Sequence, residues 1–200
     1  MNEKFFDLKS EKQDRMINAS LHLFAVNGYK HASTDDIIKE AGISKGLLFH
    51  YFTSKQGLYD FLLDYSVRYL LFEYDRTIGD EYDYFSFHEK LETAKAGILR
   101  NYPYMYGFIT RALAEAQPEY TDLGANALKK YADTMAFYRG RLTPPSLKAG
   151  VDISQVESLI AFTVEGLTNI QLNELAPDPD KLFSQVSDYV RLIAKLTLAE

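Results

Sequence analysis

The chain has 200 residues, 46% apolar and 25% charged, with a formal net charge of −6. That length buries roughly 70% of the unfolded surface, and the composition is that of a globular protein, which excludes disorder as the main state. Zero cysteines exclude disulfides, thiolate zinc sites and cysteine nucleophiles, and fit a reducing cytoplasm.

No run approaches the roughly eighteen apolar residues of a membrane span, and Met1 to Asp14 holds no long apolar stretch. Neither a membrane segment nor a secretory signal is expected, and the expected location is cytoplasmic. The acidic total hides an uneven split. Residues 1–57 carry eight Lys/Arg against seven Asp/Glu, and the remainder fourteen against twenty-one. Potential at the contact decides nucleic-acid binding, so net charge alone does not exclude it.

Along the chain the apolar spacing is helical nearly everywhere. Met16, Ile17, Leu21, Leu23 and Phe24 stripe a first helix, with Ser10-x-x-Gln13 as its expected capping box and Asn27-Gly28 as its stop. A short helix from Thr34 to Ala41 follows, capped by Ser33 or Thr34, with Asp35 and Asp36 in its first turn. Gly42 breaks it, Ser44 caps a third, and Thr53-x-x-Gln56 is expected to open a long fourth helix running to Gly79. Phe87 to Asn101 makes the next segment, and Pro103 and Pro118 suit first-turn positions of two more. Pro144-Pro145 and Gly150 mark a loop. Two final helices, about 153–175 and 179–198, follow, the last opened by Asp178-Pro179. The fold expected is all-α, with about nine helices.

Helices two and three are about eight residues each and are joined by Ala41-Gly42-Ile43, the spacing of a helix-turn-helix. The second, Ser44 to Phe52, suits a major groove: free N–H groups at its start, Gly46 for close approach, Lys45 and Lys55 at its ends, His50 and Tyr51 as donors. Gly42-Ile43-Ser44-Lys45-Gly46 also spells G-x-S-x-G, but a nucleophile elbow needs a strand before the serine and a downstream acid and histidine, so an enzyme is not expected. His22, His31, His50 and His88 lack metal-ligand spacing; no metal or cofactor is expected.

The stretch GYKHASTDDIIKEAGISKGLLFHYFTSKQGL, residues 28–58, resembles the DNA-binding signature of the TetR (tetracycline-repressor) family of bacterial regulators. The matching positions are Gly28-Tyr29, Thr34, Ala41-Gly42, Ser44-x-Gly46, His50-Tyr51-Phe52 and Ser54-Lys55-x-x-Leu58. The resemblance implies phosphate contacts from Thr34, Ser44, Lys45, Gly46 and Lys55, and base or mixed contacts from Leu47, His50 and Tyr51. Phe49 is also expected at the DNA, though it stands where the family usually has a phosphate-reaching Tyr; Leu47 offers only van der Waals contact, and Ile38 stands where the family prefers Ala. The bland alternatives are solvated surface for Lys45 and Lys55 and packing beneath the helix for Tyr51. Tyr29, Ile37, Ile43, Leu48 and Phe52 read as core.

On this reading residues 1–55 bind double-stranded operator DNA, and residues 56–200 dimerise and sense an effector. Family resemblance implies a homodimer through the last two helices; a helix apolar nearly all round must also be covered, and Gly166 permits close approach. The unusual content of 15 Tyr and 13 Phe suits core filling plus an apolar pocket. The helices the family uses for its pocket place Tyr69, Phe72, Tyr102, Tyr106, Phe108, Phe137, Phe162 and Glu165 as expected ligand contacts, while Glu165 and Asn169 read alternatively as a dimer-interface pair. The effector expected is small, lipophilic, and neutral or cationic; Arg100 or Arg111 would instead suit an anion. The function expected is a repressor released from its operator by this molecule. The alternative is a DNA-binding regulator whose large domain takes a protein partner.

Overall fold

The computed structural model describes residues 3–115, 121–172 and 178–199. Pro118 lies outside these. A 3₁₀ turn, Glu3–Asp7, precedes helices α1 (Ser10–His31), α2 (Thr34–Ala41), α3 (Lys45–Phe52), α4 (Lys55–Ile78), α5 (Tyr84–Asn101), α6 (Met105–Glu115), α7 (Asp122–Gly140), α8 (Ile153–Leu172) and α9 (Pro179–Thr197). The described residues hold isolated bridges at Asp83–Thr143 and Leu147–Leu198 and no strand. The fold is all-α.

Three helix starts follow the caps read from sequence. The Ser33 hydroxyl accepts from the N–H groups of Asp35 (3.2 Å) and Asp36 (3.4 Å). The Ser44 hydroxyl accepts from Leu47 (3.3 Å), and the Asp178 carboxylate from Asp180 and Lys181. Each satisfies N–H groups that the first helical turn leaves without intrahelical partners.

Two expected boxes are corrected. Ser10 is already helical; α1 begins after Lys9 with no side-chain cap. Gln13 instead donates to the carbonyls of Phe6 (3.1 Å) and Leu8 (2.7 Å), tying the 3₁₀ turn to α1. Thr53 adopts φ 62°, so the cap of α4 falls on Ser54, whose hydroxyl accepts from Gly57 N–H at 2.9 Å. Likewise α5 starts at Tyr84 rather than Phe87, because the Asp83 carboxylate accepts from Ser86 N–H at 2.8 Å. Pro103 sits in the turn before α6, not in its first helical turn.

The described chain forms two compact units. The first comprises residues 1–72 and 101–135. Its core stacks aromatics edge to face: Phe24 on Tyr59 (4.9 Å between centroids) and Tyr59 on Phe108 (5.1 Å). Phe5 reaches in from the 3₁₀ turn to Phe52 and Phe61, both at 5.2 Å. Burial of each large apolar side chain contributes about 1.5–3 kcal/mol, and ring pairs add about 0.5–1.5. The α1 run breaks at Gly28 (φ 70°), and Arg111 of α6 is seated there. One Arg111 nitrogen donates to the carbonyls of Ala25 (3.1 Å) and Val26 (2.8 Å), and another to Glu115 (2.6 Å).

The second unit comprises residues 73–100 and 136–200. Its core joins Tyr84 and Phe85 of α5 to Val156 and Ile160 of α8 and to Leu182, Val186, Val190 and Ile193 of α9. Glu89 of α5 accepts from Ser187 (3.0 Å) and Arg191 (2.8 Å), fixing α5 against α9.

Candidate nucleic-acid interface

Gly42 lets α2 and α3 meet at a steep turn. Its φ of 63° lies in the left-handed region, which costs a β-carbon-bearing residue about 1–2 kcal/mol, and its N–H closes back on the carbonyls of Ile38 and Lys39. Below the turn, Ile37, Ala41, Leu48 and Phe52 are buried and anchor both helices. Gly57 fixes the other end of α3. A β-carbon there would overlap the Phe52 carbonyl oxygen, so only glycine lets α4 start so close beneath α3.

These anchors leave one face of α3 free. Ser44, Lys45, Gly46 and His50 are exposed, and Leu47, Phe49 and Tyr51 are half-buried along its flanks. Thr34 at the start of α2 and Lys55 at the start of α4 are half-buried beside them. The structure therefore brings all nine residues expected to touch DNA onto or around the α2–α3 turn and α3.

Their partners in the free chain differ. Lys45 pairs with Asp35 at 3.0 Å, both side chains largely in solvent, where such a pair contributes about 0–1 kcal/mol and exchanges readily for a phosphate. Lys55 lies over the Tyr29 ring, 4.8 Å from its centroid, and donates to the Lys30 carbonyl at 3.3 Å. Burial pulls its ammonium below the usual lysine range. His50 meets Tyr51 edge to face at 4.9 Å, and Tyr51 meets Phe5 in the same way at 5.8 Å. The Tyr51 ring therefore touches the 3₁₀ turn on one side and remains half-exposed.

Gly46 stands apart from Gly42 and Gly57. A β-carbon added there meets nothing within 4 Å, and its φ is not positive. Glycine inside a helix costs about 1 kcal/mol relative to alanine. Nothing in the chain's own packing requires that cost.

Sequence reasoning missed Phe5, which braces α3 and α4 from outside the motif, and the His22–Glu40 pair (2.9 Å) joining α1 to α2. The signal for Phe5 was a lone Phe-Phe pair in an otherwise charged segment.

The residues expected to line a pocket are divided between the two units. Tyr69, Phe72, Tyr102, Tyr106 and Phe108 belong to the first unit, and Phe137, Phe162 and Glu165 to the second. Phe108 is 1% exposed and fills the core between Phe24 and Tyr59. Tyr102 is buried and its hydroxyl lies 2.7 Å from that of Tyr65 and 3.4 Å from the Asp14 carboxylate, while Tyr69 packs edge-on against its ring at 5.0 Å. Burial, and then the bond to Tyr65, push the Tyr102 phenol well above its ordinary range. Tyr106 is half-buried, and Phe72 is 65% exposed. Phe137 is exposed beneath the Arg141 guanidinium, and Phe162 and Glu165 stand on an exposed face of α8. Of the two arginines considered for an anionic effector, Arg100 pairs with Asp180, and Arg111 is held at the end of α1.

Residues 16–61 match the sequence profile of bacterial regulatory proteins of the tetR family. Two Bacillus subtilis proteins described as uncharacterized HTH-type transcriptional regulators, YuxN and YerO, are similar to part of the chain. YuxN is 44% identical over 55 residues, which span 28% of this chain and 19% of that protein; YerO is 41% identical over 49, spanning 24% and 17%. The match thus covers under a fifth of either relative. Whole-chain likeness comes from structure. A TetR family transcriptional regulator from Chloroflexus aurantiacus has a TM-score of 0.62 at 20% identity, over 99% of this chain and 98% of that one. The ketosteroid transcriptional regulator KstR2 of Mycobacterium tuberculosis has 0.65 at 16%, over 96% and 97%. At these identities the likeness is one of fold.

Proposed function

We propose that the chain is a regulator of the TetR family, a ligand-responsive transcriptional repressor that binds operator DNA as a homodimer; the profile match over residues 16–61 and the whole-chain likeness of fold support this. Residues 1–55 carry the DNA contacts. Thr34, Ser44, Lys45, Gly46 and Lys55 meet phosphates, and Leu47, Phe49, His50 and Tyr51 meet base edges or the groove wall. Residues 56–200 dimerise and take a small lipophilic effector. Its binding shifts the population from a state with the two α3 helices one groove turn, about 34 Å, apart to one that is mismatched.

The observation that carries this reading is Gly46. It is exposed in the first turn of α3 with open space around it, which lets a phosphate backbone approach the N-terminal N–H groups of that helix. Dimerisation is supported by apolar side chains left in solvent on the last two helices. Leu159, Phe162 and Ile170 of α8 are 51–71% exposed, and Tyr189, Leu192 and Leu196 of α9 are 47–61%. Among the described residues no helix is long and apolar enough to cross a membrane.

The test is Gly46→Ala, assayed on a duplex selected from random DNA by the full-length protein. Folding stability should rise by about 0.5–1 kcal/mol from helix propensity, while DNA affinity falls at least tenfold. Full affinity in the alanine variant, or no duplex enriched by the native protein, defeats the reading.

A further inference from the structure

Helix α1 is broken at one residue, and α6 holds the break. Within α1 only Gly28 leaves helical geometry, at φ 70° and ψ 172°, a region essentially closed to residues with a β-carbon. In an unbroken helix the carbonyls of Ala25 and Val26 accept from the N–H groups of Tyr29 and Lys30, beyond this residue. One nitrogen of the Arg111 guanidinium supplies both carbonyls with a donor from outside the helix, at 3.1 and 2.8 Å. Its Nε donates to Glu115 at 2.6 Å, one turn further along α6, which fixes the direction of the planar fork. Gly28 is buried against this pair: a β-carbon there would overlap the Glu115 carboxylate and crowd the Arg111 Nε. Packing of α6 on α1 does not depend on the pair, because Phe108 supplies it from the core, 6.2 Å from the Phe24 ring. Arg111 itself is 38% exposed.

What lies beyond the break is the start of the DNA-binding motif. Tyr29, the next residue, carries the Lys55 ammonium over its ring at 4.8 Å, and the Lys30 carbonyl accepts from the same ammonium at 3.3 Å. The chain then leaves α1 through Ala32, whose N–H closes on the Gly28 carbonyl at 3.1 Å, and runs into the cap Ser33 and Thr34. The direction set at Gly28 is thus passed to two of the residues assigned to phosphates, to Thr34 along the chain and to Lys55 through its two contacts. We propose that Arg111 of α6 is a positioning residue for operator binding: it fixes the break at Gly28 and, through it, the placement of Thr34 and Lys55. Phosphate contacts set docking and affinity without reading sequence, so its loss weakens binding to every duplex alike. This rests on the reading of the chain as an operator-binding regulator, and it gives Arg111 a task other than holding an anionic effector.

The experiment uses the full chain and the duplex that the native protein enriches from random DNA. Affinity, its salt dependence and the ranking of single-base variants of that duplex are measured for Arg111→Gln, Arg111→Lys, Lys55→Ala and the double variant Arg111→Gln with Lys55→Ala. Melting curves of the free proteins accompany them. Arg111→Gln should bind every duplex about tenfold more weakly, keep the native ranking, and flatten the slope of log K against log salt by about 1.8, two phosphates for the dimer. Arg111→Lys keeps a cation able to reach the carbonyls and should recover most of the affinity. In the Lys55→Ala background the loss from Arg111→Gln should shrink to about threefold or less, because one of the two contacts that the break positions is already gone. An arginine that served stability alone would lower Tm and leave the two losses additive. Additive losses, a native salt slope in Arg111→Gln, or a changed ranking of duplexes overturns the proposal. Should Arg111→Gln fail to fold, Glu115→Gln, which loosens the guanidinium without removing it, takes its place in the double variant, and additivity there overturns the proposal equally. A native protein that enriches no duplex sinks the regulator reading and this inference with it, whereas native binding with additive losses sinks the role of Arg111 alone.

Discussion

Acid should destabilise this protein in two separate steps, and the first belongs to His88. Its imidazole titrates near 6.5 in the unfolded chain and is pushed down to about 4 in the fold by burial, with smaller contributions from Lys95 and Arg139. Between those values the unfolded state binds a proton that the folded state refuses, so stability rises with pH across that window. The contribution is fully present above about pH 6.5 and is lost as pH falls toward about 4. A gap of this size corresponds to about 3 kcal/mol, a large share of a typical domain's total. The second step is carboxylate titration. Hydrogen bonds from Lys90, Ser86 and the N–H groups of Asp83 and Tyr82 hold Glu81 at about 2, so its contribution is present above about 4.5 and lost only below that. Urea unfolding at pH 7.5, 5.5 and 4.5, at one protomer concentration, should show the first loss, and His88→Leu should flatten it. An unchanged pH slope in His88→Leu would refute the assignment to this imidazole.

Two further outcomes follow from the packing. Gly57→Ala should destabilise the first unit by about 1–3 kcal/mol in chemical unfolding, because the new β-carbon overlaps the Phe52 carbonyl and α4 must shift; unchanged stability would mean that this approach is not required. Phe162→Glu together with Leu196→Glu should give folded monomers in sedimentation equilibrium with operator binding lost, since both side chains are in solvent in the single chain, at 71% and 61% exposure. A double variant that stayed dimeric would remove this face from the interface.

The parts of the fold that were legible in the sequence depend on neighbours within a few residues. Ser33, Ser44 and Asp178 cap where the sequence placed them because a cap needs only its own next turn. Ser10 and Thr53 fit the same pattern and failed for reasons of geometry. The 3₁₀ turn drew the Gln13 amide to its own carbonyls, and a positive φ at Thr53 moved the cap of α4 on by one residue. The exposed side of α3 was legible for the same local reason: its exposed and buried positions are set by one turn and the short helices around it. The aromatic residues were not. Phe108, Tyr102 and Phe162 look alike in the sequence, yet one fills a core, one joins a hydroxyl network and one stands in solvent. Which of these happens depends on partners many tens of residues away, which helical periodicity does not record. The seat of Arg111 at the Gly28 break was hidden in the same way, because the guanidinium lies 86 and 85 residues from the two carbonyls it answers.

The salt dependence of DNA binding should be shallow, and its size follows from how few cations the motif offers. Residues 1–57 are nearly neutral, and among the residues assigned to DNA only Lys45 and Lys55 carry full positive charge. A dimer then neutralises about four phosphates, for a slope of log K against log salt near −3.6 and a loss of about 150-fold from 50 to 200 mM. The remaining affinity comes from neutral donors and the N-terminus of α3, which release no counterions. Neither lysine is free before binding, but the two differ. Lys45 gives up a solvent-exposed pair with Asp35 at little cost, whereas Lys55 must leave, or reach outward from, the Tyr29 ring and the Lys30 carbonyl. Lys55→Ala should therefore weaken binding to all sequences alike and reduce the slope by about 1.8 for the dimer. Asp35→Asn, which frees Lys45 and removes a nearby negative charge, should tighten binding without altering sequence preference. A native slope steeper than about −6 would mean that cations other than these two carry the contact, and a changed base preference in Lys55→Ala would mean that this lysine reaches the groove rather than the backbone.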